Sequence, residues 1–360
     1  LGCIRKYLNA NFHISLICTN FVPMSFALIL LQWFSEHGRE LPWRATKDPY
    51  AIWLSEIILQ QTRVNQGWSY WEKFMHQWST VEQLADASED DVLKAWQGLG
   101  YYSRARNLHK AAQQVKALGK FPNNYQALKQ LKGVGDYTAA AIASISFNEP
   151  VAVVDGNVYR VLSRYFGIDT PIDTTAGKKE FAALAQELIA LDKPGIYNQA
   201  IMDFGAIQCT PASPNCSRCL LLETCVAFRL GHVGSLPVKS KKIKQRERRF
   251  DYVYIKYNDE IAIHQRGAGD IWQGLWELPQ VSIIPKEVQS KFSEISTKIC
   301  SNVKHILTHQ IIYADLHLWV ANVKPALPSD YLWVKTREIS NYALPRLIEL
   351  LLVKLPNEDI

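Results

Sequence analysis

Three methionines in 360 residues, none at the first position, and no apolar run long enough to cross a bilayer are the first absences in this sequence. The apolar stretch Phe26 to Phe34, FALILLQWF, is nine residues long, against the roughly 20 that a membrane helix needs. No membrane partner is therefore expected. Cysteine is not spread as a secreted disulfide framework would spread it. Cys3, Cys18 and Cys300 stand apart, whereas Cys209, Cys216, Cys219 and Cys225 crowd one short loop, which favours a reducing compartment and a metal group. There is no acidic excess: the formal charge is +6 and the pI about 8.8, a balance that suits a polyanionic partner. Internal repeats and long low-complexity tracts are also missing.

Residues 1–23 show no clear period. Arg5 and Lys6 precede a mildly apolar run, as in a signal peptide, but Asn11, His13 and Asn20 interrupt it. The segment reads as an upstream or non-native extension ahead of a start at Met24.

What is present is apolar and aromatic. With 48% hydrophobic residues the chain can bury one large core or two ordinary ones. Eleven Trp and sixteen Tyr are many, and aromatic rings beside basic residues suit unstacked bases. From 25 to 228 the apolar spacing predicts helices near 25–37, 50–62, 64–76, 88–97, 102–118, 137–147, 157–166, 175–190 and 194–206. Turn signals such as Gly98-Leu99-Gly100 and Lys193-Pro194-Gly195 separate them. No strand pattern is seen there. Residues 229–249 form a basic linker, with Lys239, Lys241, Lys242, Lys244, Arg246, Arg248 and Arg249. The period then becomes two, as in Ile312, Ala314, Leu316, Leu318 and Val320 against Tyr313, Asp315, His317 and Trp319. Helical patterns return at 285–297 and 345–354. A second, α+β domain over 250–356 is expected, after a first, helical domain over 24–228.

Two stretches carry chemistry by residue type alone. In Leu131 to Val158 the tight Gly133-Val134-Gly135 turn opens an alanine-rich helical run, whose first N–H groups can hold a phosphate. It ends in Asp155-Gly156-Asn157, an acid at the start of the next helix. The gaps of six, two and five residues between Cys209, Cys216, Cys219 and Cys225 allow either zinc or an iron–sulfur cluster.

Together these strings resemble the helix-hairpin-helix base-excision glycosylases, the endonuclease III superfamily. That superfamily's cysteine loop holds one [4Fe–4S] cluster. Trp53-Leu54-Ser55-Glu56-Ile57-Ile58-Leu59-Gln60-Gln61-Thr62 resembles the catalytic helix of its adenine DNA glycosylase (MutY) branch. The resemblance implies Glu56 as general acid at adenine N7 and Asp155 as the carboxylate beside the charged sugar. The lyase branch has a catalytic lysine where Tyr137 stands, so strand cleavage through a Schiff base is not expected. Leu41-Pro42-Trp43-Arg44 and Asn198 to Asp203 resemble the adenine pocket, with Trp43, Arg44, Gln199 and Met202. Gly98 to Arg104 resembles the loop that wedges into the duplex. There Tyr101 would fill the gap and Gln61 accompany it, with Gly133, Gly135 and Asn157 on DNA.

Ile271 to Pro279, IWQGLWELP, resembles a nudix-fold loop and strand. The Glu-rich metal helix that nudix hydrolysis requires is missing, since 280–300 holds only Glu287 and Glu294. The domain is similar to the one that reads 8-oxoguanine in that family. Its Phe-Ser-His is Leu307-Thr308-His309 here, which keeps a hydroxyl and loses a ring. The expectation is thus a mainly α, two-lobed catalytic domain with a [4Fe–4S] loop and a smaller nudix-like domain. It would act as a monomer on double-stranded DNA carrying A:8-oxoG or A:G, in a bacterial cytoplasm. Two alternatives are a thymine-mismatch glycosylase of the same superfamily, against which the nudix-like domain argues, and a non-catalytic redox sensor, against which Glu56 and Asp155 argue.

Overall fold

The computed structural model describes residues 25–240, 245–284, 288 and 292–356. The extension 1–23, linker residues 241–244 and most of 285–291 lie outside the described residues. The described chain forms two compact units. One takes the residues up to Gln61 and those from Gln114 to 240; the other takes Thr62–Gln113 and the residues from 245 onward. The chain thus leaves the first unit after Gln61 and returns at Gln114.

In the first unit the helices are Phe26–His37, Pro49–Ile58, Tyr125–Leu128, Asp136–Phe147, Gly156–Phe166, Thr175–Leu188, Pro194–Asp203 and Val226–Arg229. Their starts have local causes. Asp48 accepts from the Tyr50 and Ala51 N–H groups ahead of Pro49, which needs no partner for a missing N–H. Asn124 and Thr174 cap their helices in the same way. Helix Pro49–Ile58 buries every residue from Tyr50 to Ile58. It stops short of the expected 62 because the chain turns at Leu59 and Gln60, and Gln61 takes a left-handed φ of 59°. The last long helix also ends early: after Asp203 the backbone widens into a π-helical turn, Phe204–Gln208. Phe204 packs edge-on against Trp33 at 5.0 Å inside the core.

The second unit holds helices Val64–Gln77, Val81–Asp86, Glu89–Trp96 and most of Ser103–Leu118, then the strands. Ser88 caps Glu89–Trp96, whose first turn carries Glu89, Asp90 and Asp91, the charge that a helix N-terminus favours. The strands are β1 Arg246–Tyr257, β2 Glu260–Gln265, β3 Trp276–Glu277, β4 Thr297–Ile306, β5 Gln310–Val320 and β6 Tyr331–Lys335. They form one mixed sheet in the order β3-β2-β1-β5-β4, with β6 on β2. β1 and β5 run parallel, Arg246 opposite Gln310 through Lys256 opposite Val320.

Tyr252 to Ile255 in β1 are all buried, because both faces of the sheet are covered. Phe250, Tyr252 and Tyr254 join Ile312, Ala314 and Leu316 under helix Arg346–Leu352. Val253 and Ile255 join Ala262, Phe292 and Trp319 on the other face. The helix expected over 285–297 is described only at its end, Phe292–Ile295, and Thr297 already belongs to β4. Among the described residues no helix is long and apolar enough to cross a membrane.

Candidate active site

Glu56 sits in the last turn and a half of helix Pro49–Ile58, 8% exposed among Trp53, Leu54 and Ile57. Burial pushes its carboxyl from 4.5 up to about 7. Tyr137, through a hydrogen bond, and the Arg44 charge pull against that rise, and the Asp155 charge adds to it. The group is therefore poised to carry a proton near neutral pH.

Tyr137 stands in the first turn of helix Asp136–Phe147. Besides meeting Glu56, its hydroxyl donates to Met202 Sδ at 3.3 Å. Burial, then the nearby Glu56 and Asp155 charges, raises its pKa well above the usual phenol value, so the hydroxyl keeps its proton.

Asp155 is the N-cap of helix Gly156–Phe166. Its Oδ1 accepts from the Asn157 N–H at 2.9 Å and the Val158 N–H at 2.8 Å, and its Oδ2 accepts from Asn157 Nδ2 at 2.8 Å. Burial raises this carboxyl, and those three donors and Arg160 oppose the rise. Tyr137 thus touches both Glu56 and Met202, with Asp155 and Arg44 within electrostatic reach of Glu56 and Tyr137.

Several supports carry no sequence signal. Asp203, fully buried, receives Arg44 Nη1 at 2.8 Å and Nη2 at 2.9 Å, the Arg39 N–H and Nε each at 3.0 Å, and Arg39 Nη2. Burial would raise its pKa, but the two guanidiniums hold it below the usual range. Arg44 also stacks over Phe34 at 5.2 Å. Arg160 donates to Asn157 Oδ1 at 2.8 Å, Gly205 O at 2.5 Å and Cys209 O at 2.7 Å, tying the Asp155 turn to the cysteine loop. Asn198 donates to Ser144 Oγ and Val151 O and accepts from the Val153 N–H, fixing the segment that leads to Asp155. A charged or amide side chain that serves distant backbone looks ordinary in sequence.

Of the remaining expected residues in this unit, Trp43 is buried in the short turn Pro42–Arg44, and Gln199 is half-buried on helix Pro194–Asp203. Gly133 has φ 78°, which favours glycine. Gly135 starts helix Asp136–Phe147 with open space where a side chain would be. Asp136 occupies that helix start and pairs with Lys129 at 2.6 Å. Asn157 spends its side chain inside the protein, on Asp155 and Arg160.

Cys209, Cys216, Cys219 and Cys225 line one pocket of about 30 Å³ with Arg164, Pro214 and Leu222. Arg164, buried, donates to Cys209 Sγ at 3.4 Å, to Thr210 O at 2.7 Å and to Pro211 O at 3.1 Å. Burial pushes the Cys219 thiol up to about 11, with the other three cysteines adding to the rise. Thiolates there need a positive group among them. Among the described residues no three His, Cys, Asp or Glu side chains stand close enough together for a single metal ion. Four cysteines around one apolar pocket, with an arginine on a sulfur, offer the donor set of a group held by four thiolates.

In the second unit Leu307, Thr308 and His309 form the turn between β4 and β5, and line a cavity of about 410 Å³ with Tyr101, Arg106 and Trp272. Tyr101 is 44% exposed with a left-handed φ of 47°. Its hydroxyl and Thr308 Oγ1 share a hydrogen bond.

Residues 54–190 match the HhH-GPD superfamily base excision DNA repair protein family, and residues 251–354 the NUDIX domain. The adenine DNA glycosylase of Buchnera aphidicola subsp. Acyrthosiphon pisum is 30% identical over 91% of this chain and 96% of its own length. That of Mus musculus is 33% identical over 89% and 76%. The chain belongs to the adenine DNA glycosylase family. As such it is an adenine-specific DNA glycosylase that removes adenine in base excision repair, on a helix-hairpin-helix fold joined to a nudix-like domain. A solved thermostable thymine-DNA glycosylase, 31% identical with a TM-score of 0.53, covers 57% of this glycosylase and 95% of its own chain.

Proposed function

We propose that this enzyme hydrolyses the N-glycosidic bond of adenine paired with 8-oxoguanine or guanine, and leaves an abasic site. One observation carries the reading: buried Glu56, lifted to about 7, is hydrogen-bonded to Tyr137 and lies within electrostatic reach of Asp155. Protonated Glu56 gives its proton to adenine N7. The bond from N9 to the sugar C1′ then breaks, its electron pair leaving with adenine. Asp155, held by three N–H donors, faces the positive charge that grows on the sugar. Water adds to C1′ and returns a proton to Glu56. Tyr137 keeps Glu56 oriented and has no amine for a Schiff base, so the sugar–phosphate chain stays whole.

Trp43, Arg44, Gln199 and Met202 would enclose the flipped adenine. Tyr101 would fill its place in the stack, with Gln61, Gly133, Gly135 and Asn157 along the strand. Flipping costs a few kcal/mol, which stacking offsets. Leu307, Thr308 and His309 would read the opposite base, where the Thr308 hydroxyl can accept from the N7–H that 8-oxoguanine has and guanine lacks. Cys209, Cys216, Cys219 and Cys225 would hold one [4Fe–4S] cluster, whose charge stabilises the thiolates and staples the loop. The NUDIX-matching domain favours this reading over thymine excision, which the likeness to a thymine-DNA glycosylase would suggest. Single-turnover assays on A:8-oxoG, A:G and T:G duplexes test it. Faster release of thymine from T:G than of adenine from either partner would overturn it.

A further inference from the structure

Gln97 to Tyr101 join helices Glu89–Trp96 and Ser103–Leu118 through three left-handed positions, Gly98 at φ 99°, Gly100 at 71° and Tyr101 at 47°. Gly98 and Gly100 adopt such angles freely, but Tyr101 keeps its left-handed φ only where its surroundings hold it. The adjoining helices supply part of the hold. Tyr70 donates to Gln97 O at 2.6 Å, Trp96 Nε1 to Gly100 O at 3.0 Å, and Arg104 Nη2 to Gly100 O at 3.2 Å. A Cβ on Gly98 would stand 2.5 Å from the Tyr70 hydroxyl, so the chain passes close by.

The rest comes from beyond β1, within the same unit. Glu349, on helix Arg346–Leu352, accepts from Gln97 Nε2. Its other oxygen accepts from Arg346 Nη1 at 3.0 Å, which steadies the carboxylate. The opposite end of the Gln97 amide accepts from Lys94 Nζ at 2.8 Å, and Lys94 also donates to Tyr342 O at 3.1 Å. Both ends of that amide are thus pinned by residues anchored in the C-terminal segment. The two segments meet tightly. Gly274, at φ 80°, lies where a Cβ would come 3.1 Å from Leu93 Cδ1, Gln265 Nε2 donates to Asp90 at 3.0 Å, and Arg106 Nη1 donates to Gln273 O at 2.6 Å.

We propose that Glu349 is a positioning residue that fixes Gln97 and, through it, the left-handed turn presenting Tyr101. This rests on the reading of Tyr101 as the wedge. The nudix-like domain then does more than face the base opposite adenine: it splints the loop that enters the stack.

Amide hydrogen exchange on the full-length protein tests the splint without DNA. In Glu349→Ala, amides of 97–101 should exchange about tenfold faster or more, the loss of one charge-assisted hydrogen bond. Those of β5 should not change. Glu349→Gln, which can still accept from Gln97, should restore most of the protection, and Gln97→Ala should loosen the same amides without adding to Glu349→Ala. Unchanged exchange at 97–101, or loosening spread evenly over β5, overturns the proposal. A second arm uses 2-aminopurine beside the A:8-oxoG pair, whose fluorescence rises on unstacking. Glu349→Ala should weaken that rise and the affinity for the duplex, while wild-type signals on a loosened loop would uphold the splint and overturn the wedge reading of Tyr101.

Discussion

Gly205 passes so close to Asn157 that a Cβ built on it would stand 2.6 Å from the Asn157 Cβ and 2.9 Å from the Asn157 carbonyl oxygen. The π-helical turn thus presses on the segment that aims Asp155. Gly205→Ala must push that segment away. The expected outcome is a fall in single-turnover adenine release of about tenfold or more, since small misplacements of a reacting group are costly, with DNA affinity nearly intact. Rate and binding measured on the same duplex check it.

Release should depend on protonated Glu56. Below pH 7 most of the carboxyl carries its proton; above it the fraction falls about tenfold per unit. The rate should therefore decline as pH rises through about 7. Glu56→Gln should lose roughly 10²–10⁴-fold in rate and show no such limb. A single-turnover pH profile is the measurement, and a limb retained in Glu56→Gln would assign it to another group.

The same group has a cost in stability. Its pKa is raised on folding, so the stability linked to it is full below about 4.5 and is lost as pH climbs through about 7. Glu56→Gln removes the buried charge. It should melt higher than wild type at pH 8, by up to roughly 3 kcal/mol in free energy, and the gain should shrink toward pH 5. Thermal unfolding at the two pH values decides.

Tyr137 lowers the Glu56 pKa by donating to its carboxylate. Tyr137→Phe should shift the alkaline limb of the profile upward, and borohydride should trap little covalent complex with either protein. An unmoved limb would mean that the hydroxyl serves only Met202.

Thr308→Val keeps the shape and removes the hydroxyl. The preference for A:8-oxoG over A:G should drop by the worth of one hydrogen bond, about 1–3 kcal/mol, while A:G release persists. For the cysteine loop, about four iron atoms per purified chain are expected, fewer in Arg164→Ala, which frees Cys209 from its arginine. Iron analysis on anaerobically prepared protein checks both.

The burial of Glu56 on an apolar helix and the place of Asp155 at a helix start were legible in their local strings, whereas Tyr137 stood out only through the family resemblance. Asp203 and Arg39 were not, because an acid and a base 164 positions apart carry no mutual signal until the fold joins them. Helices Val81–Asp86 and Tyr125–Leu128 are too short for a 3.6-residue period to show. Sequence spacing carries Pro49–Ile58 on to 62 because Leu59, Gln60 and Gln61 look helical, whereas Gln61 takes a left-handed φ. The change of period after 229 was visible. An amphipathic helix does not say who covers it, so the grouping of Thr62–Gln113 with the strands was not.

That grouping has a consequence for synthesis. A ribosome releases Thr62–Gln113 long before the strands that complete its unit. At about 5–20 residues per second the wait lasts roughly ten to thirty seconds, during which the Leu93 face of helix Glu89–Trp96 lacks Gly274 and the turn around it. The nascent enzyme therefore owns its acid–base helices before it owns a finished partner for the excursion between them. A chain that stalls in this interval offers quality control an uncovered apolar stripe.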